Sequence, residues 1–456
     1  MAGLNDVLNS ARSALIAQQL AMEVTSNNVA NANTPGYSRE RVDFEQSQTT
    51  PINKGLLGTG VTASHIGRAR DRMIDQQLWG ASDSNGKATT EQSILSQVES
   101  ALNEPSDNGL SEIMNSFFSA FQNLSAQPES SAARNNVIQQ AQLMSQSFHN
   151  IDANIAQTRS NLVTDVQSKL DSINQLTSDI STLDVSIANA TTQGMDPSAL
   201  EDQRDLKIDT LSGLVNVNVV DDTDGSVMVS IGGTEVASKA GSAALTSSIN
   251  GNQIQIFAGN STAPTQITSG QLGGDLECYN TILPDYSSKL DATANALITQ
   301  INTIHSAGFG VDTPPSTGVN FFTGTSATDI DVSTDVVNDP NKIAASSDGS
   351  TGNNQVALAL ANLQNSAVMN GGTETIPQYY NSFVSNVGAD VNSSENTSTN
   401  QQLIVNQLQS QRSSVSGVSI DEEMTNLTQY QQAYQAASEV VSVVNQMMQS
   451  IITMVQ

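Results

Sequence analysis

Ser26-Asn27-Asn28-Val29-Ala30-Asn31-Ala32-Asn33-Thr34-Pro35-Gly36-Tyr37 ends one helix and sets the direction of everything after it. Four asparagines fall within seven residues of this run. Asparagine side chains bond to nearby backbone and tolerate positive φ. Pro35 fixes its own φ and biases Thr34 away from the helical region, while Gly36 gives access to the left-handed one. A helix starting near Asn5 is therefore expected to stop near Ala32 and leave at a defined angle. Asn27, Asn28, Asn31 and Asn33 lie beside a small apolar stripe, with no ionisable group among them. They read as a lateral hydrogen-bonding strip, suited to contact with copies of the chain rather than to chemistry.

Upstream, Leu4, Leu8, Ala11, Leu15, Met22 and Val29 recur at three- and four-residue steps, interrupted at Gln18 and Thr25. That is an amphipathic helix with a narrow apolar stripe. The other terminus carries a more regular pattern. Ile420, Met424, Leu427, Tyr430, Tyr434, Ala437, Val441, Val444, Met448, Ile451 and Val455 all keep the helical step. Ser419 stands at the N-cap position, and Asp421, Glu422 and Glu423 suit the positive end of the helix dipole. This predicts a helix of roughly 54 Å at 1.5 Å per residue. So narrow a stripe wants one or two helical partners.

Between the ends lies a longer rod, predicted over 128–193 with Pro128 at its first turn. Its stripe runs through Val137, Ala141, Met144, Phe148, Ile151, Ile155, Leu162, Val166, Leu170, Ile173, Leu176, Ile180, Leu183, Ile187 and Ala190, up to Gly194 and Pro197. Sixty residues of helix would span roughly 90 Å. Shorter helices are expected at about 70–82, 90–103, 109–125, 198–212, 282–307, 354–369, 376–392 and 395–414.

The period changes near residue 213. Val215, Val217 and Val219 alternate with polar residues, as do Val227, Val229 and Ile231, then Ile254 and Ile256. Asp224-Gly225, Gly232-Gly233 and Asn250-Gly251 punctuate these runs as hairpin turns. Residues 313–352 read as loop with a short alternation at Ile330, Val332 and Val336. The expected fold is mainly α with a small antiparallel β domain. It is elongated and nested, with paired coiled-coil-like terminal helices and a long-helix bundle. Residues 1–68 and 415–456 would form the terminal unit, 69–212 and 277–414 the rod, and 213–276 the β domain.

Composition narrows the function. The chain has 456 residues, 17 basic and 45 acidic, for a net charge of −28. Both ends are near neutral, +1 over 1–72 and −3 over 401–456, so residues 73–400 hold −26. Nucleic-acid binding needs a basic surface, which this chain lacks. Cys278 is the single cysteine, so no internal disulfide can form. His65, His149 and His305 lie far apart without metal-ligand spacing, and no metal or cofactor site is expected. Gly55 to Gly60 and Gly270 to Gly274 lack phosphate-loop spacing and read as turns. Asp221, Asp222 and Asp224 fail the calcium-loop frame and read as a hairpin turn. Tyr379, Tyr380, Tyr430 and Tyr434 read as packing residues, and nothing points to a catalytic residue. No cleavable secretory signal is visible, and Asn445, Gln446 and Gln449 interrupt the apolar end too often for membrane insertion. By these tests alone the chain would stay in the cytoplasm.

Asn27 to Tyr37, preceded by Leu15, Gln18-Gln19 and Met22-Glu23, resembles the N-terminal signature of bacterial flagellar rod, hook and hook-associated proteins. Ser416 to Glu423 and Tyr430 to Ala437 resemble the hook-associated protein 1 family of the hook–filament junction. So do the long helix, Gly273-Gly274-Asp275-Leu276, and Asp339-Pro340 with Ile343-Ala344-Ala345. The resemblance implies a structural subunit, not an enzyme, exported unfolded through the flagellar type III channel and placed outside the cell. Its implied partners are copies of itself in a ring, hook protein, a second hook–filament junction protein, and an export chaperone at about 415–456. Asn27, Asn28, Asn31, Asn33, Thr34, Pro35, Gly36 and Tyr37 would form the assembly motif, and the C-terminal stripe from Ile420 to Val455 the packing and chaperone face. A hook or distal rod protein would share the first signature. A secreted coiled-coil adhesin with a β head would share only the architecture.

Overall fold

In a computed structural model describing residues 3–52 and 55–455, helix α1 (Leu4–Asn31) pairs antiparallel with the last helix of the chain. Strands β1 (Glu40–Gln46), β2 (Thr49–Ile52), β3 (Gly55–Gly58) and β4 (Val61–Arg68) follow α1 as one long hairpin in two segments, β1 on β4 and β2 on β3. The sequence pattern did not announce this hairpin. Strand β1 is mostly charged with only Val42 and Phe44 alternating, β2 and β3 are four residues each, and the hairpin packs on α1. There Gly60 sits so close to Ser10 and Ser13 that a β-carbon would clash.

The rod contains α2 (Arg72–Leu102), α3 (Leu110–Ala126), α4 (Ser131–Thr192) and α5 (Ser198–Leu214). Expected helices at 70–82 and 90–103 are a single α2. Gly86 does not break it, because a β-carbon there would lie 2.3 Å from the Gly213 carbonyl, so the glycine serves close packing. Pro128 does not open α4 either. Ser130 caps that helix, its Oγ accepting from the Ala133 amide at 3.3 Å, and the Pro128 carbonyl accepts from Arg134 instead.

Strands β5 (Val217–Asp221), β6 (Val227–Ile231), β7 (Thr234–Ser238) and β8 (Gly241–Ser242) form an antiparallel sheet in that order. Strands β9 (Leu245–Asn250) and β10 (Gln253–Ala258) form a separate hairpin. Gly225, Gly233 and Gly251 take positive φ at the three expected turns. The sheet has no core of its own. Val219, Val229, Ile231 and Ile256 belong to the same buried cluster as Phe148, Leu170 and Ile173 of α4.

The chain returns through α6 (Gly270–Glu277), a π-helical turn at Cys278–Ile282 and α7 (Leu283–Ser306). Pro284 cannot donate to a carbonyl four residues back, which accounts for the widened turn before it. Short elements follow: β11 (Phe322–Thr323), β12 (Asp331–Val332), α8 (Thr334–Asn338), α9 (Gln355–Asn362), β13 (Ala367–Met369) and β14 (Glu374–Thr375). The helix expected over 354–369 thus ends early and finishes as a strand. Segments 376–392 and 395–414 are one helix, α10 (Ile376–Ser416), opened by a capping box between Thr375 and Gln378. Gly417 breaks the chain before α11 (Ile420–Val455), whose Glu422 and Glu423 amides bond back to Ser419.

The face α1 buries differs from the expected leucine stripe. Of that stripe Ala11 is buried; beyond it Ala17, Ala21, Val24 and Asn28 are buried, whereas Leu4, Leu8, Leu15, Met22 and Val29 are only half-buried. The buried positions beyond Ala11 keep the same helical step one residue over, and small side chains let neighbouring backbone approach closely.

Candidate functional site

The asparagine run is where α1, β1 and α11 meet. Helix α1 ends at Asn31, the Thr34 amide bonds to the Asn31 carbonyl at 2.9 Å, and Gly36 takes φ +81°. That turn carries the chain back along the side of its own helix. Tyr37 and Glu40 thereby come to lie against Asn28.

Asn28 is 1% exposed and uses its full hydrogen-bonding capacity. Its Nδ2 donates to the Glu40 carbonyl at 2.8 Å and to Glu423 Oε2 at 3.0 Å. Its Oδ1 accepts from the Glu40 amide at 2.9 Å and the Tyr37 hydroxyl at 2.8 Å. One amide therefore takes the place of a neighbouring strand for β1 and ties α11 to α1. This corrects the reading of Asn28 as part of a lateral strip: its side chain is wholly engaged within the chain. Tyr37 is half-buried beside it. Burial, then Glu40, holds the Tyr37 phenol above its ordinary range, and burial likewise raises the Glu40 carboxyl.

The remaining motif residues face outward. Asn31 Nδ2 donates to Asn27 Oδ1 at 2.9 Å, and the Thr34 hydroxyl donates to Asn31 Oδ1 at 3.1 Å. Asn27, Asn33, Thr34, Pro35 and Gly36 are exposed. Leu206 of α5 lies against Gly36, close enough that a β-carbon there would be crowded.

The C-terminal stripe divides in two. Val444 is buried, and Leu427, Tyr430, Ala437, Val441 and Met448 are half-buried toward α1 and β1. Tyr430 meets Phe44 edge-on, with ring centroids 6.4 Å apart. Ile420, Met424, Tyr434 and Ile451 stay exposed, joined by Val440, Val443, Met447 and Ile452, which the sequence stripe did not include. The Val455 side chain lies outside the described residues. An apolar groove of about 440 Å³ runs between Leu4 and Val7 of α1 and Val440, Val443 and Met447 of α11.

Beneath the motif is a charged cluster that sequence reasoning missed. Arg68 binds Glu201, Asp202 and Asp205 at 2.8, 2.8 and 2.9 Å. Arg70 binds Asp75 at 2.7 Å and Asp205 at 3.1 Å. Arg412 binds Asp209 at 2.7 Å, and Arg204 binds Asp205 at 3.0 Å. Burial alone would raise the Asp205 carboxyl, but Arg70, Arg204 and Arg68 together hold it down at about 2. The available signal was the Arg68-x-Arg70 pair, with carboxylates at 201, 205 and 209 on one face of a helix.

Titratable groups elsewhere have structural positions. His305 is 1% exposed; its Nδ1 donates to the Val319 carbonyl at 2.7 Å and its Nε2 accepts from the Ala344 amide at 2.9 Å. Burial lowers its pKa to about 4. Cys278 is buried and its thiol is pushed up by that burial. Asp222 and Asp224 both hold Lys239, at 2.6 and 2.8 Å, across the hairpin turn. Among the described residues, no three His, Cys, Asp or Glu side chains gather to hold a metal, and no helix is long and apolar enough to cross a membrane.

Comparison with known proteins gives a consistent set of likenesses. Residues 95–322 match the family described as the flagellar hook-associated protein FlgK helical domain. Residues 8–37 match the flagella basal body rod protein family, and residues 409–454 the C-terminal family of flagellar basal body rod proteins FlgEFG. The chain is 31% identical to flagellar hook-associated protein 1 of Bacillus subtilis, over 98% of this chain and 97% of that one. It is 26% identical to the Escherichia coli protein of the same name, over 98% of this chain and 100% of that one. The solved flagellar hook junction protein FlgK of Burkholderia pseudomallei shares the fold, with TM-score 0.65 and 17% identity over 75% of this chain and 100% of that one.

Proposed function

This chain belongs to the family of flagellar hook-associated protein 1, a structural component of the flagellum, and we propose that it forms a ring at the hook–filament junction through its terminal helices. One observation carries this reading. Helix α11 covers one apolar face with α1 and leaves a second, through Val440, Val443, Met447 and Ile451, open to water. Apolar surface left in water costs about 25 cal/mol per Å², so a neighbouring copy that covers this face gains what the single chain cannot. Most helical stability comes from such packing, so the ends would order fully only on assembly.

Hook protein on one side and a second hook–filament junction protein on the other would complete the stack. Asn27, Asn33, Thr34 and Pro35 stand exposed for lateral contacts, with Asn31 half-buried beside them. Before assembly the same open face of 415–456 suits an export chaperone, and a chain with a single cysteine, which cannot form an internal disulfide, suits passage unfolded through a type III channel to the cell exterior. Electron microscopy of a strain lacking this chain tests the role. Hooks without filaments are expected, with the tagged protein restored to the hook tip. Absence of hooks would place the chain in the rod or hook instead.

A further inference from the structure

The connection between the terminal unit and the rod contains no shared apolar core. Among the described residues, the buried hydrophobic clusters of the rod include nothing from 1–68 or 417–456. Three chain crossings meet at one point: the Arg39 amide bonds to the Ser416 carbonyl at 2.8 Å, and the Ala69 amide to the Arg39 carbonyl at 2.7 Å. What fastens the two parts beyond that point is charge. Arg68 reaches from the end of β4 to Glu201, Asp202 and Asp205, and the Ser38 amide donates to Asp202 at 2.8 Å.

These acceptors form a row. Glu201, Asp205 and Asp209 are spaced four residues apart on α5, so a carboxylate recurs at nearly every helical turn, about 5.4 Å. Arg70 already shares Asp205 with Arg68, at 3.1 Å, and Asp202 lies 3.8 Å from it. An arginine that slides one turn along α5 exchanges one carboxylate for the next, and Arg412, which holds Asp209 at 2.7 Å and lies 3.6 Å from Asp75, would take over Asp75 as Arg70 leaves it. Loss of such a partner is what makes breaking a buried ion pair costly. A smooth hinge would pass through that unpaired state, whereas a step from rung to rung largely avoids it.

We propose that the carboxylate row of α5 is a stepped track for Arg68 and Arg70, holding the terminal helix pair at one of a few set inclinations to the rod. The steps are one helical turn apart, and a bistable packed element of this kind converts small forces into discrete changes. The device is a property of the single chain and does not depend on the junction role.

The test uses the full-length chain with Gln431→Cys and Ser178→Cys, both exposed, carrying a spin-label pair, with the buried Cys278 left in place. Distance distributions are recorded by pulsed electron resonance. The unaltered joint should give one dominant distance. Glu201→Gln, whose side chain lies at the rim of the cluster, should populate a second distance displaced by about 5 Å, one helical turn. Adding Asp209→Asn, which removes the next rung, should suppress that second population. Circular dichroism confirms that Glu201→Gln keeps its helices. A single unshifted distance in Glu201→Gln, or a broad distribution in the unaltered chain, overturns the proposal. The first would mean a rigid joint and the second a free one.

Discussion

Around α4, Phe148, Leu170, Ile173 and Ile180 have no exposed surface, while along α11 the buried positions among the described residues are Glu423 and Val444. Both helices carry long regular stripes, so periodicity alone does not separate them. The rod meets its stripe from every side, with α2, α3, α5, α7 and the central sheet all contributing to one cluster. The terminal pair meets its stripe once, with alanines on α1, and leaves the other side of α11 open. A region that closes its own core should govern stability. A region that leaves an apolar face open should govern association. Substitutions in the two regions should therefore separate these two properties.

The largest effect is expected from Phe117→Ala. Phe117 is fully buried, with the rings of Phe118, Phe121, Phe321 and Phe322 between 5.2 and 6.0 Å away. Truncation should cost about 3–5 kcal/mol. Because helices and sheet share one cluster, urea unfolding followed by both far-ultraviolet circular dichroism and Trp79 fluorescence should stay coincident. Two separated transitions would show that α2 around Trp79 unfolds independently of the remaining helices.

Next comes acid. The folded His305 has a pKa of about 4 against an unfolded value of 6.5, so the unfolded chain takes the proton first. Its contribution is complete above pH 6.5 and is lost as pH falls toward 4, on the order of 3 kcal/mol in all. Asp184 and Asp275, both pushed up to about 6 by burial, act in the opposite direction across the same window. The measurement is thus a difference: urea stability of His305→Gln against the parent, at pH 7 and pH 4.5. The gap between them should narrow at the lower pH, and a constant gap would contradict this assignment.

Asn28→Ala should act on the terminal region alone. It strands the Glu40 amide and carbonyl, at about 1–3 kcal/mol for each polar group left unsatisfied. Hydrogen exchange should accelerate across Glu40–Gln46 and the end of α1 while α4 stays protected. Uniform acceleration would mean that the two regions are not energetically distinct.

Much of the rod was legible because its signals are local. The α4 stripe, the Asp224-Gly225, Gly232-Gly233 and Asn250-Gly251 turns, and the Pro35-Gly36 exit each lie within a few residues of the structure they specify. What escaped notice were pairings across long sequence gaps. Asn28 clamps the backbone of Glu40, Asn174 that of Leu245, Asn280 that of Ile254, and Asn302 that of Phe322, each through both amide atoms. In every case a helix asparagine finishes a strand whose own alternation is weak or short. The partner of each asparagine is not written next to it. The same holds for Arg68 and Asp205, which are 137 residues apart. Beyond Ala11, which is buried as expected, the α1 stripe was misplaced by one position for a different reason. Leucines dominate a hydrophobic pattern, but alanines allowed the closer approach.

The smallest effect on stability should come from the open face of α11, where it would be paired with the largest effect on assembly. Val443 is 43% exposed and Met447 52%, and they border the groove with Leu4 and Val7. Val443→Ser with Met447→Ser removes apolar surface that is already in water, so the single chain should change by no more than about 0.5 kcal/mol. Where neighbouring copies cover that surface, the same change should remove packing and leave buried hydroxyls without partners. Cells carrying the double variant should make hooks but few filaments, although the purified protein melts as the parent does. Normal filaments would show that this face is not where copies meet. An equally large loss of stability would show that α11 had closed its core within one chain.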